Sequence, residues 1–168
     1  MFTTAQIAAI KADITANPDL AALPAGGDGA FAVAALYNLP ASPAYIVWKS
    51  KVTEADIVSL TSDELTTWSW PAYIARSAAE QAGWSRMVGV TGVINPALPQ
   101  VRQAILDIFS GTGAQAIAQR THLAAMGKRS ATRIEKLFAT GSGVTATPST
   151  TVFEGIISYW EIQTARGN

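Results

Sequence analysis

The chain has 168 residues, 49% of them hydrophobic and 14% charged, with 12 basic against 12 acidic side chains and no cysteine. A domain of this length holds a core without disulfides or metals, and the composition excludes a disordered chain. The missing cysteines exclude a disulfide framework, a thiolate zinc site and a cysteine nucleophile, and the zero net charge argues against a dedicated nucleic-acid-binding module. With so few charges, much of the surface must be apolar or small and neutral. That predicts association with other chains, first of all copies of itself.

The first element in chain order is a helix opened by Thr3 and Gln6, which have capping-box spacing. Ile7, Ile10 and Ile14 share its face, and Asn17-Pro18 ends it, because the residue before proline avoids the helical region. Leu20 and Leu23 suggest one more turn. After the Gly26–Gly29 break, Asp28 is the expected N-cap of an apolar helix running to Leu39, buried through Phe31, Ala34, Ala35 and Tyr37. Tyr45–Trp48 is a short apolar stretch that periodicity alone leaves open between strand and helix. Thr53 with Asp56 repeats a cap pattern. Ser62-Asp63-Glu64 marks another start, from which one long helix is expected to run to about Trp84, kinked or reopened at Pro71. Gly89 to Pro99 reads as loop.

Val101, Ile105, Ile108 and Phe109 form an amphipathic stripe. A glycine-containing turn then leads to a helix over about Ala114–Ala125, stopped by Gly127. Ser130 is the expected cap of the following helix, with Ile134, Leu137 and Phe138 on its apolar face. Gly141-Ser-Gly143 ends that helix, and a Thr/Ser-rich stretch, Thr145–Thr151, follows. Val152 and Phe153 suggest a short extended piece. Ser158 with Glu161 caps a last helix to Arg166. The expected fold is mainly α: a compact bundle of six or seven short helices over residues 1–144, with residues 145–168 as linker and extended C-terminal docking arm. The N-terminus lacks the pattern of a signal peptide, and the longest apolar run, Ala30–Tyr37, is far below the ~20 residues that span a bilayer.

Candidate chemistry is sparse. His122 is the single histidine, with no acidic residue near it in sequence, and is expected to be structural. The acids sit where helix starts favour them. The glycine-rich stretches lack the Lys-Ser/Thr of a phosphate loop. No catalytic, cofactor or metal site is expected, and the chain reads as a non-enzyme. Arg120, Lys128, Arg129, Arg133 and Lys136 concentrate basic charge. The residues expected to meet partners are Arg129, Arg133 and Lys136 from this cluster, Trp68 and Trp70, and Val152, Phe153, Ile156, Tyr159 and Trp160 from the arm. Trp68 and Trp70, two apart, would fall on different faces of a helix, leaving one exposed. Trp48, Trp84 and Trp160 are expected in the core.

Several stretches together resemble a family of short proteins encoded among the structural genes of tailed phages and prophages. They are the opening Met1–Ile14, Gly27–Phe31 with Ala34–Ala41, Val47-Trp48-Lys49, Asp107–Gly113, Lys128–Gly143 and Thr151–Gly155. The resemblance covers nearly the whole chain and is weakest at about 66–95. It implies a virion component assembled in the host cytoplasm. By analogy it implies a ring-forming head–tail connector, an adaptor or head-completion subunit that contacts the portal and other neck or tail proteins. Contact with DNA would be passive. Another minor virion protein, a small DNA-binding regulator and a lysis enzyme are the alternatives.

Overall fold

The computed structural model describes residues 2–58, 68–89 and 91–167. Among these the fold is mainly α, with ten short helices rather than six or seven, and three two-stranded sheets. The chain divides into two compact units, not into a helical domain and a tail. One unit combines the residues up to Val47 with those from Ser130 onward, and the other is Trp48–Arg129.

The first unit holds α1 (Thr4–Ala16), α2 (Pro18–Ala21), α3 (Gly27–Asn38), α9 (Arg133–Leu137) and α10 (Tyr159–Arg166). The Thr3–Gln6 box caps α1, and Ile10 and Ile14 are buried. Helix α3 is capped by Gly26 rather than Asp28, which lies within the first turn, where its charge favours the helix dipole. Its buried stripe is Ala30, Val33, Ala34 and Tyr37, at i, i+3, i+4 and i+7. Phe31 lies off that stripe and is 57% exposed, contrary to expectation. Helix α9 is capped by Thr132 rather than Ser130, because only Thr132 has a glutamate three residues on to close the box. Beyond it β5 (Ala139–Thr140) and β6 (Thr150–Thr151) pair antiparallel, so the Thr/Ser-rich stretch belongs to the folded unit.

The expected C-terminal arm is not an arm. Ile157, Ile162 and Ala165 belong to one core with Ile10, Leu20, Val33 and Ile134. Asn38 fixes the segment by bonding both backbone groups of Ile157: its Nδ2 donates to the carbonyl and its Oδ1 accepts from the N–H, each at 2.9 Å. The buried Glu135 carboxylate accepts from Thr132 N–H at 2.9 Å and Gly155 N–H at 3.0 Å. Arg166, at the end of α10, donates to the carbonyls of Leu20, at 3.0 Å, and Pro24.

In the second unit β2 (Val52–Thr53) pairs antiparallel with β3 (Val93–Ile94), which makes the expected Gly89–Pro99 loop partly extended. Helices α4 (Glu54–Val58), α5 (Trp70–Ile74), α6 (Ala78–Gly89), α7 (Pro99–Ile108) and α8 (Ala114–Met126) pack around it. The helix start expected at Ser62–Glu64 lies outside the described residues. Within them, the stretch to Trp84 is two helices: Pro71 lies in the first turn of α5, the reopening expected there, and Ser77 and Glu80 form a reciprocal cap that opens α6. The core joins Trp68, Trp84, Ile105, Ile108, Phe109 and Leu123. The chain also forms the short strands β1 (Ile46–Trp48) and β4 (Lys128–Ser130), so all of the Tyr45–Trp48 stretch but Tyr45 is extended.

Candidate interaction surfaces

In the first unit, the three most exposed large apolar side chains lie on the C-terminal segment. Val152 is 80% exposed, Ile156 77% and Trp160 65%. Trp160 is therefore not a core residue: α10 buries Ile162 and Ala165 and turns the indole outward. Its ring meets that of Tyr159 at 4.4 Å, and Tyr159 stacks on Phe31 at 4.1 Å, 17° from parallel. These three rings make a continuous aromatic ridge. Phe153 does not join it: its ring packs on Phe2 at 4.5 Å and near Phe138 at 6.1 Å, at the edge of the core.

The residues of the basic cluster are divided between the two units. Arg120 in the second unit donates to the carbonyls of Phe109 and Gly111, the latter at 2.8 Å, and so braces the turn between α7 and α8. Arg129 is half-buried in the same unit. Arg133 and Lys136 lie in the first unit, over the rings of Tyr37 and Tyr45, each at 5.6 Å. Both line a groove of about 660 Å³ with an apolar floor of Leu36, Leu39, Pro40 and Leu137 and with Asp13 and Asp19 on its wall. Burial and the Asp13 carboxylate, which accepts the Tyr37 hydroxyl proton at 2.7 Å, raise the Tyr37 pKa above the ordinary phenol value.

Of the second unit's tryptophans, Trp84 is in the core and one of Trp68 and Trp70 is exposed, as expected, but Trp48 is half-buried and the reason for the Trp68–Trp70 split is not helical. Ser69 is extended, so Trp68 and Trp70 are not on one helix, and their rings meet edge to face at 5.8 Å. Trp68 is 9% exposed, whereas Trp70 is 58% exposed. Together with Tyr73 and Trp84 they wall a small cavity of about 160 Å³ that Glu54 also lines. Sequence reasoning missed this site, because Tyr73 and Glu54 gave no sign of joining the tryptophans.

His122 is buried, and its Nε2 lies 2.9 Å from the Ile57 carbonyl, to which it must donate. Its Nδ1, Gln119 Nε2 and Trp68 Nε1 are buried with no hydrogen-bond partner among the described residues. Gln119 Oε1 accepts from Ser69 N–H at 2.7 Å. Among the described residues no group of His, Cys, Asp or Glu is placed to hold a metal, and no helix is long and apolar enough to cross a membrane. No family profile, curated protein or solved structure matches the chain.

Proposed function

We propose that this protein is a non-enzymatic structural subunit of a tailed-phage particle, a ring-forming connector at the neck that joins portal to tail. The observation that carries the reading is the exposure of three large apolar side chains, Val152, Ile156 and Trp160, on a C-terminal segment whose backbone is pinned by Asn38 and Glu135. Exposed apolar groups on a fixed backbone cost solvation in the free chain and lose little entropy on docking, the balance expected of a surface built for a partner. The sequence resemblance to phage structural proteins supplies the setting, and the low charge density suits a subunit whose surface is mostly covered in an assembly. The groove carrying Arg133 and Lys136 offers a second, differently shaped face, as head-to-tail ring closure requires.

Light scattering on the intact chain tests the proposal. The wild type should form a ring-sized species, alone or with a portal protein present. The Ile156→Asp/Trp160→Ala double variant should stay monomeric with an unchanged melting transition. Cutting the chain after Ser149 is the wrong probe, since it removes Ile157, Ile162 and Ala165 from the core.

A further inference from the structure

Outside the second unit's aromatic cavity, several rings have faces covered by the protein's own cations. Arg102 sits 4.8 Å and Lys128 5.3 Å from the Trp48 ring centre, and Arg133 and Lys136 cover Tyr37 and Tyr45. The four rings around the small cavity, Trp68, Trp70, Tyr73 and Trp84, have no such cation among the described residues. Trp70 stands 83° from Trp68 and 78° from Tyr73, edge to face with both, whereas Trp68 is tilted 31° from Trp84 and 46° from Tyr73, so Trp70 is the exposed wall set across the other three rings. Among the described lining residues the one charged side chain is that of Glu54.

We infer that this cavity is a binding site for a small alkylated ammonium group, the ring faces taking the cation and the Glu54 carboxylate balancing its charge. An aromatic ring is electron-rich on its face, and several faces converging on one point attract a cation with little need for hydrogen bonds. A quaternary ammonium suits such a wall better than a primary one. Its methyl groups need no acceptors, whereas a primary ammonium would leave donors unpaired against indole. Size sets the same limit. The cavity of about 160 Å³ is close to the ~150 Å³ that holds one six-carbon ring, and well below the roughly 300–1,000 Å³ of drug-sized pockets. A trimethylammonium head fits, whether free in solution or at the end of a phospholipid.

The test is a titration of the intact chain with choline, read by tryptophan fluorescence and calorimetry at constant ionic strength. The comparison ligand is its uncharged carbon isostere, 3,3-dimethylbutan-1-ol. Choline should bind saturably and the isostere about tenfold more weakly. Trp70→Ala should abolish binding and Glu54→Gln should weaken it about threefold. Both side chains are exposed, so the melting transition should not move. Co-sedimentation with phosphatidylcholine vesicles would identify a lipid head group as the source, and binding of choline without the vesicles a soluble ligand. Equal binding of choline and the isostere, no saturable binding of choline, or choline binding indifferent to both substitutions would overturn the inference.

Discussion

The two units solve the same packing problem with different completeness. In the first, segments distant in sequence are tied by paired polar groups: Asn38 with both backbone groups of Ile157, Glu135 with Gly155, Arg166 with Leu20 and Pro24, and Tyr37 with Asp13. In the second, a ring-rich core leaves three buried polar atoms unpartnered among the described residues and keeps a cavity open beside Trp68. A fully satisfied network specifies one arrangement and holds an exposed ridge rigid, whereas unsatisfied groups and unfilled space are tolerated where something else is to be bound.

The largest expected effect probes packing tightness through a pair of helical glycines. A Cβ at Gly29 would overlap the Pro24 carbonyl oxygen, which is backbone and cannot rotate away. Gly29→Ala should therefore destabilise the first unit by about 3 kcal/mol or more. At Gly83, inside α6, the same methyl meets only Ile108 Cδ1, at an ordinary 4.0 Å. Gly83→Ala should stabilise by about 0.5–1 kcal/mol, because alanine loses less backbone freedom on folding. Chemical denaturation reads both, and equal signs would erase the contrast.

Polar satisfaction gives the next effect. Asn38→Leu strips both partners from the Ile157 backbone and should cost about 2–4 kcal/mol, while Trp68→Phe removes an N–H that already has no partner and should cost less than half as much. A larger loss at Trp68 than at Asn38 would invert the comparison.

The smallest effect concerns pH. The Tyr37 pKa is raised by burial first and by Asp13 second, so the folded chain holds that proton more tightly than the unfolded one. The resulting stability is complete below the unfolded phenol value of about 10 and is lost as pH rises above it, by up to about 1.4 kcal/mol per pH unit. Tyr37→Phe should flatten that alkaline decline in a series of denaturation curves, and an unchanged slope would show that Tyr37 is not its source.

Local signals were legible in the sequence and distant ones were not. The boxes at Thr3–Gln6 and Ser158–Glu161 are written in four residues each, and both are present. Thr132–Glu135 and Ser77–Glu80 carry the same spacing, so the caps that open α9 and α6 are local signals too. His122 is structural, as a lone histidine usually is. The expected free arm failed for a different reason. Asn38 and Ile157 stand 119 residues apart, and nothing near either announces the other, so a Thr/Ser-rich stretch read as a linker while tertiary bonds held it. Of the residues expected to meet partners on the arm, Val152, Ile156 and Trp160 are exposed, Tyr159 packs between Phe31 and Trp160, and Phe153 is taken by Phe2, whose ring no local pattern links to it.

The central claim, that the pinned C-terminal segment with its exposed apolar side chains is an assembly surface, is tested most directly by the solution mass of the intact protein across a wide concentration range, with and without a portal protein. The account predicts a closed, ring-sized species for the wild type and a monomer of unchanged melting transition for Ile156→Asp/Trp160→Ala. A wild-type chain that stays monomeric at every concentration and ignores the portal would contradict it.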